Sequence, residues 1–384
     1  MDLWADLDEL RRRRSDKWRR YPADVLPLFV AEMDSRLADP IRAALAEALE
    51  NSDTGYAQPD AFPEAYAGFA GRRWGWHPDP GAMALMPDVA RAARTAIELT
   101  SSPGDQVVIN PPVYPPFYEW MEMTGRQLVS NPLRLGADGW RLDLDGLEAA
   151  YSGGARVHLL CNPQNPTGTV HTRAELEAVA TLAERYGVTV VSDEIHAPLT
   201  LGAARFTPFL SLDRPAVGRA YAAVSTSKAW NLAGLKAALL VAGPDVVGTF
   251  RRIPEDASSS TGNLGVIASV VALNEGEAWL DELRAALEVN RRWLADALAP
   301  LGVGYRPPDA TYLAWLDLRQ HGLGDDPAPL LLERGKVALY RGLDFGPEGA
   351  GFVRFNFASG PELLAEAVAR LGEALTTGRR PGPT

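Results

Sequence analysis

The stretch STSKAWNLAGLK, from Ser225 to Lys236, is the part of the sequence that best indicates the fold. It follows the apolar run YAAV and places Ser225 three residues before Lys228, in a segment of small residues. Small residues allow a phosphate group to approach the backbone closely, and a lysine can bond covalently to a carbonyl compound. An isolated SxxK pattern often arises by chance, so other parts of the chain must support this interpretation.

Two further polar segments follow apolar runs earlier in the chain. NPQNPTG, from Asn162 to Gly168, ends the run HLLCN, and SDEIH places Asp193 and His196 after the run VTVV. Ligands of open α/β sheets bind at the carboxyl ends of such strands. NPTG alone is equally typical of a turn before a helix, and Asp193 alone of an ionised loop residue. Their order and spacing relative to Lys228 make independent chance matches implausible.

Apolar runs and helical stretches alternate between about residues 86 and 243. This alternation predicts a mostly parallel sheet with helices on its faces. The clearest helix spans about residues 173–186, because Thr172 and Glu175 can form a capping box and Gly187 can end it.

A second region, of α+β character, follows the predicted sheet. It begins with a helix near residues 281–298 and continues with short strands near residues 312–318, 337–340 and 352–357. The first forty or so residues are rich in turn formers and aromatics, and we expect them to pack against this region. The predicted division is an N-terminal segment over residues 1–44, a large domain over 45–285, a small domain over 286–376 and a disordered tail over 377–384.

Length, composition and charge limit the classes of function. The chain has 384 residues, enough for one large and one smaller domain, and its 46% hydrophobic and 23% charged residues are typical of a folded protein. A net charge of −11 argues against a protein that binds nucleic acid. The basic run from Arg11 to Arg20 interrupts this acidity, and we interpret it as a solvated helix face.

Other features bear on location and on metal binding. Cys161 is the single cysteine, which excludes an intrachain disulfide. The N-terminal residues lack a signal-peptide pattern and no apolar run is long enough to span a membrane, so we expect a cytoplasmic protein without membrane partners. The 5 histidines show no HxxxH or HxH spacing, which disfavours a metal site.

Together these motifs resemble those of fold-type I enzymes that use pyridoxal 5′-phosphate (PLP). Flanking segments are similar to the MalY/PatB branch of cystathionine β-lyases, within the class I and II aminotransferase superfamily. They include LPLFVAEMDS, TGYAQPD, PPVYPPF, SKAWNLAGLK, ATYLAWLD and GFVRFNFA, distributed from Leu26 to Ala358. The resemblance covers nearly the whole chain. It implies an α/β fold like that of aspartate aminotransferase, with a mostly parallel seven-stranded sheet in the large domain and a smaller α+β domain.

The resemblance also implies how the chain would hold PLP and its substrate. Lys228 would carry the cofactor covalently and move the α-proton of the substrate. Asp193 would keep a proton on the pyridine nitrogen, and Asn165 would donate to the phenolic oxygen. Tyr114 would stack on the ring. Arg354 would grip the substrate α-carboxylate, together with Asn165 and Tyr114.

Other implied contacts concern the phosphate and a second subunit. Ser225 and Lys236 match a hydroxyl donor and a basic residue at the phosphate, and Tyr56 matches a tyrosine offered across a homodimer interface. Asp88 stands where the branch usually has glycine, which places a carboxylate near the phosphate. The remaining cofactor contacts implied are the side chains of His196 and Ser227 and the backbone amides of Val89 and Ala90, at the start of a helix expected near Pro87.

The resemblance favours a lyase that cleaves cystathionine or another L-cysteine S-conjugate to a thiol, pyruvate and ammonia. The same site residues also suit an aminotransferase, so this choice rests on the flanking segments. A specialised biosynthetic lyase or a decarboxylating relative is a further alternative, since Glu32, Ser35 and the pair Ser359-Gly360 depart from the branch pattern. A regulatory protein that binds a transcription factor is a rival from another class, and the complete set of catalytic residues disfavours it.

Overall fold

The computed structural model describes residues 3–376. The helices in this range are α1 (Leu7–Arg12), α2 (Asp16–Arg19), α3 (Asp39–Glu50), α4 (Ala61–Trp74), α5 (Val89–Thr100), α6 (Pro116–Thr124), α7 (Leu144–Ser152), α8 (Arg173–Tyr186), α9 (Glu255–Ser259), α10 (Asn263–Glu275), α11 (Glu277–Leu298), α12 (Ala328–Gly335) and α13 (Pro361–Thr376). The strands are β1 (Leu26–Pro27), β2 (Met83–Met86), β3 (Gln106–Ile109), β4 (Gln127–Ser130), β5 (Arg134–Gly136), β6 (Gly139–Arg141), β7 (Val157–Cys161), β8 (Thr189–Asp193), β9 (Tyr221–Val224), β10 (Ala238–Ala242), β11 (Gly304–Tyr305), β12 (Leu313–Asp317), β13 (Val337–Ala338), β14 (Tyr340–Arg341) and β15 (Phe352–Asn356). Among these helices none is long and apolar enough to cross a membrane. The tail predicted at residues 377–384 lies outside the described residues.

The larger sheet has seven strands in the order β2-β10-β9-β8-β7-β3-β4. Strand β10 runs antiparallel to both of its neighbours, and the other paired strands are parallel. Every residue of β7 and of β9 is buried, as expected where helices cover both faces of a sheet. The predicted seven-stranded, mostly parallel sheet is therefore confirmed.

Helices α5 and α8 contribute to the hydrophobic clusters on opposite faces of this sheet. Val191 of β8 packs in the cluster that contains α5, whereas its neighbour Val190 packs in the cluster that contains α8. This division follows from the alternation of side chains along a strand. The prediction for α8 is confirmed: Thr172 and Glu175 form the capping box, and Gly187 ends the helix in a left-handed conformation with φ of 71°.

A second sheet of four antiparallel strands, β11-β12-β15-β14, lies in the C-terminal part of the chain. The single strand predicted near residues 337–340 is wrong, because β13 and β14 belong to different sheets. Strand β13 pairs in parallel with β1, so the N-terminal segment contacts this part of the chain as expected. Helix α11 also begins before the predicted residue 281. The domain boundaries remain a prediction.

The prediction that the basic run from Arg11 to Arg20 is a solvated helix face is correct only in part: most of its side chains are exposed, but Lys17 is buried and Arg13 is partly buried. Lys17 has 1% exposure and its Nζ lies 2.8 Å from Oδ2 of the buried Asp34. Arg13 donates to two main-chain carbonyls of residues 33–35. These basic side chains therefore attach α1 and α2 to the chain that follows β1, and that chain borders the cavity described next.

Candidate active site

A cavity of about 440 Å³ opens at the carboxyl ends of β7, β8 and β9. The C-terminal four-stranded sheet supplies one wall through β14 and β15, and residues 29–31 supply another. The cavity brings together most of the residues predicted from the sequence, namely Val89, Ala90, Tyr114, Asn165, Asp193, His196, Ser227, Lys228, Lys236 and Arg354.

Lys228 projects into this cavity a few residues after β9. Its Nζ donates to the carbonyl oxygen of Ala31 at 2.9 Å. Burial, and then the positive charge of Arg354, lower the pKa of Lys228 to about 8. An amine must be neutral to attack a carbonyl carbon, so the environment of Lys228 favours nucleophilic chemistry near neutral pH.

Asp193 ends β8 and is 4% exposed. Its Oδ1 accepts from the amide of Ile195 at 3.1 Å. Burial raises the pKa of Asp193 to about 7, although this hydrogen bond and the charge of Lys228 oppose the shift. A desolvated carboxylate of this kind gains most from a cationic N–H donor beside it, which a protonated pyridine nitrogen supplies.

Arg354 reaches the cavity from the centre of β15. Its guanidinium donates to Oδ1 of Asn165 at 3.0 Å and to the carbonyl oxygen of Phe29 at 2.9 Å. It lies over the rings of Tyr340 and Phe345, at 4.7 and 5.0 Å from their centroids. Its Nε is buried without a hydrogen-bond partner among the described residues, and burial lowers the pKa of Arg354 to about 10. The guanidinium of Arg354 is therefore positioned to bind an anionic carboxylate.

Tyr114 and His196 provide neutral aromatic surfaces in the cavity. Burial, and then the charge of Asp193, raise the pKa of Tyr114 to about 12, so its hydroxyl keeps its proton. Burial, and then the charge of Lys228, lower the pKa of His196 to about 3, so its ring is neutral. Both rings can pack against a flat heteroaromatic ring without adding charge to it.

The start of α5 holds the groups expected at a phosphate. The helix begins at Val89, two residues later than predicted, and Asp88 caps it by accepting the amide of Arg91 at 2.8 Å. The other oxygen of Asp88 lies 3.0 Å from Nζ of Lys236. Asp88 therefore serves as a helix cap. It also forms an ion pair with Lys236, the basic residue predicted to bind the phosphate.

Two predicted residues lie elsewhere. Ser225 does not line the cavity: its Oγ lies 2.7 Å from Oγ of Ser227 and donates to the carbonyl oxygen of Ala237 at 2.7 Å. Ser227 lines the cavity in its place. Tyr56 also lies outside the cavity and is 90% exposed, at the edge of a separate cavity of about 1010 Å³. Its proposed contribution therefore requires a second subunit.

Several residues that line the cavity were missed by sequence reasoning. They are Asp16, Arg20, Phe29, Val30, Ala31 and Tyr340. Main-chain carbonyls such as that of Ala31 leave no signal in a sequence, because every residue carries one. Asp16 and Arg20 belong to the region that we had assigned to a solvated helix.

The residues of the cavity fit PLP. A partly neutral lysine, a desolvated carboxylate, neutral aromatic rings and a basic group at a helix start match the aldehyde, pyridine nitrogen, ring and phosphate of this cofactor. The unpartnered Nε of Arg354 leaves a donor for a substrate carboxylate. Gly168 of the NPTG motif allows Pro308 to pack closely against this loop, because a Cβ there would lie 2.2 Å from Cβ of Pro308.

This chain is similar over nearly its whole length to several known proteins. A cystathionine beta-lyase of Corynebacterium glutamicum is 37% identical, over 97% of this chain and 100% of that protein. The cystathionine beta-lyase PatB of Bacillus subtilis is 36% identical, over 92% of this chain and 93% of that protein. The structure of cystalysin from Treponema denticola, which contains a pyridoxal 5′-phosphate cofactor, superposes with a TM-score of 0.90 at 25% identity, covering 96% of this chain and 97% of the other. Residues 24–371 match the family described as aminotransferase class I and II, and the chain therefore belongs to that family.

Proposed function

We propose that this chain is a PLP-dependent C–S β-lyase that cleaves cystathionine or another L-cysteine S-conjugate to a thiol, pyruvate and ammonia. The observation that carries the proposal is the convergence of Lys228, Asp193 and Arg354 on one cavity at the strand ends. The similarity to cystathionine beta-lyases over almost the whole chain supports the choice of reaction.

The site residues divide the work of binding and proton transfer. Arg354 and Asn165 bind the α-carboxylate, which fixes the substrate with its Cα–H bond directed toward Lys228. Lys228, with its lowered pKa, removes the Cα proton. Asp193 holds a proton at the pyridine nitrogen. PLP, when bound, supplies an electron sink for the negative charge that develops at Cα.

An aminotransferase is the second candidate, because the same residues support proton removal in both reactions. The two reactions differ in their need for an amino acceptor. A lyase releases ammonia and can start a new cycle, whereas an aminotransferase retains the amino group on its cofactor until a 2-oxo acid removes it.

The acceptor requirement decides between them. Purified holoenzyme incubated with L-cystathionine and no 2-oxo acid should release pyruvate and thiol in equal amounts over many turnovers. Lys228→Ala should abolish this release. Turnover that stops after one cycle and resumes on addition of a 2-oxo acid would assign the protein to the aminotransferases.

The attachment of the cofactor can be mapped directly. Borohydride reduction of the holoenzyme, followed by peptide mapping, should place the pyridoxyl group on Lys228. Lys236 is the matched alternative, because it lines the same cavity. A pyridoxyl group found on Lys236 would contradict the assignment.

We also propose that the enzyme is a cytoplasmic homodimer. The single cysteine is compatible with a reducing compartment. The exposed position of Tyr56 supports a site completed by a second subunit, since one chain alone leaves this residue outside its own cavity.

A further inference from the structure

We propose that Asp16 and Arg20 form a subsite for the far end of the substrate, and that they select S-substituents ending in an α-amino acid. The inference rests on the proposed lyase function and names the substrate class of the same cavity. It gives a role to two charged side chains that the chemistry at Cα does not use.

Asp16 and Arg20 line the same cavity as Lys228 and Arg354. The other charged side chains that line it have been placed beside the cofactor or the α-carboxylate. About half of each of the two side chains is exposed, which puts them toward the mouth of the cavity. A substrate bound through its α-carboxylate at Arg354 would direct its sulfur substituent away from the cofactor, toward this mouth.

Phe29 contacts both Arg354 and Arg20. Its carbonyl oxygen accepts from Arg354 at 2.9 Å, and its ring lies 5.0 Å from the guanidinium of Arg20. A single residue therefore separates the group that binds the α-carboxylate from the proposed subsite. We infer that a substrate with an amino-acid group at each end of a short thioether chain reaches both arginines.

The helix that carries the subsite is held in place by its other side chains. Lys17 forms the buried ion pair with Asp34, and Trp18 donates to the same carboxylate at 3.0 Å. Asp16 and Arg20 can therefore turn toward a ligand without moving the backbone. The backbone of the subsite is therefore preorganised, and only these two side chains must rotate to bind a ligand.

The charges of the subsite match a zwitterion. Arg20 donates to both oxygens of Asp16, at 2.8 and 3.2 Å. Such an exposed pair contributes little to stability, so a ligand can replace it at small cost. A distal carboxylate would bind the Arg20 fork and a distal ammonium would bind Asp16, which leaves no charge unpaired. A substituent with only one of these charges would leave one protein group without its partner.

Four substrates of similar length separate these contributions. L-Cystathionine carries both distal charges, S-(3-carboxypropyl)-L-cysteine only the carboxylate, S-(3-aminopropyl)-L-cysteine only the ammonium, and S-propyl-L-cysteine neither. We expect the ratio of kcat/KM for cystathionine to kcat/KM for S-propyl-L-cysteine to fall about five- to tenfold in Arg20→Gln, mostly through KM. Asp16→Asn should reduce the same ratio and should improve the relative use of the carboxypropyl substrate.

A control variant and a binding assay complete the test. Arg173→Gln breaks an exposed ion pair of the same i,i+4 spacing on α8, which lines no part of the cavity, and should leave the ratio unchanged.

Calorimetric titration of the holoenzyme with 2,7-diaminooctanedioate and with 2-aminooctanoate compares the two end groups without C–S cleavage. The diacid should bind more tightly to the wild-type protein, and Arg20→Gln should remove most of this preference.

The outcomes distinguish the two proposals. Absence of pyruvate with every substrate would overturn the lyase function, and the titration would then decide the subsite alone. Equal binding of 2,7-diaminooctanedioate and 2-aminooctanoate to the wild-type protein would overturn the subsite. A preference for the diacid that survives in both Arg20→Gln and Asp16→Asn would also overturn it. An equal loss of activity on all four substrates in Arg20→Gln would also overturn it, because that result indicates a structural effect.

Discussion

At the residue scale, a protein carboxylate holds the groups at which we propose that the cofactor phosphate binds. Asp88 binds Nζ of Lys236 and the amide of Arg91 in the first turn of α5. A phosphate at the start of this helix would use the same lysine and neighbouring amides. The negative charge of Asp88 should therefore weaken the binding of PLP.

Asp88→Asn is expected to tighten PLP binding about three- to tenfold, because asparagine still caps the helix but carries no charge. Fluorescence titration of the apoenzyme with PLP measures the dissociation constant. Asp143→Asn is the matched control, since Asp143 caps α7 and pairs with Arg134 but does not line the cavity. Weaker binding in Asp88→Asn would show that Asp88 instead positions Lys236 for the phosphate.

Glu194, next to Asp193, is a second buried carboxyl, and we expect it to make stability depend on pH. Its Oε1 accepts from Oγ of Ser192 at 3.0 Å and from the amide of Phe209 at 2.8 Å. Burial raises the pKa of Glu194 from 4.5 to about 8, despite these hydrogen bonds. Between these two pH values the folded protein keeps a proton that the unfolded chain releases, so this group lowers stability as the pH rises through the window.

Glu194→Gln should remove this contribution while keeping the Oε1 acceptor. Between pH 5 and pH 8 the free energy of unfolding of the wild-type holoenzyme should fall relative to that of the variant, by at most about 1.4 kcal/mol per pH unit. Urea denaturation at each pH measures this difference. Glu177→Gln, which removes a partly exposed carboxylate on α8, serves as the control. Parallel curves for wild type and Glu194→Gln would mean that Glu194 is ionised in the folded protein.

At the element scale, residues 29–35 form a segment, here called the strap, whose first three residues line the cavity, and other elements hold its main chain. Asn356 donates to the carbonyl oxygens of Val30 and Glu32, and Tyr312 donates to that of Ala31. The buried carboxylate of Asp34 anchors the end of the strap. It binds Lys17, and it accepts from Ser359, which explains the serine in a position where the sequence departs from the related branch.

Breaking this anchor should destabilise the protein strongly. Lys17→Met leaves Asp34 buried without its cation, and we expect a loss of about 3 to 5 kcal/mol in free energy of unfolding. Replacement of both partners, in Lys17→Met/Asp34→Asn, should recover part of this loss because no unpaired charge remains. Urea denaturation measures these differences.

The exposed pair of Arg173 and Glu177 provides the comparison for the anchor. Arg173→Gln should cost less than about 1 kcal/mol, because solvent screens the pair. If Lys17→Met were no less stable than Arg173→Gln, the buried pair would not anchor the strap.

At the scale of the whole molecule, the position of Tyr56 predicts an active site shared between two subunits. Its side chain is exposed and lies outside the cavity of its own chain. Tyr56 lines a second cavity together with Glu255 and Thr261. A second copy of the chain can cover this surface and receive the tyrosine at its phosphate site.

Mixed dimers test this arrangement. Combining a Tyr56→Phe protomer with a Lys228→Ala protomer should produce one site with both substitutions and one with neither, so activity should partly return. The activity of the homodimer of each variant is the baseline. If mixing restores nothing, Tyr56 acts within its own chain or has no part in the site.

Local patterns in the sequence predicted a large part of this protein correctly. The sheet followed from alternating apolar runs, and α8 from its capping box and terminal glycine, because these signals act between residues close in the chain. Asp193, Asn165 and Lys228 were placed together because parallel strands bring their carboxyl ends to one edge. The family resemblance added Arg354, which no local pattern would assign to this cavity.

Only the tertiary structure decided how distant segments complete the cavity. The bond from Lys228 to Ala31 joins residues 197 positions apart, and that from Arg354 to Phe29 joins residues 325 positions apart. The burial of Lys17 and the approach of Arg20 to the cavity arise from the same packing of the N-terminal segment. Periodicity and capping report the environment of a residue within its own helix or strand, whereas these contacts depend on the three-dimensional packing of elements far apart in the chain.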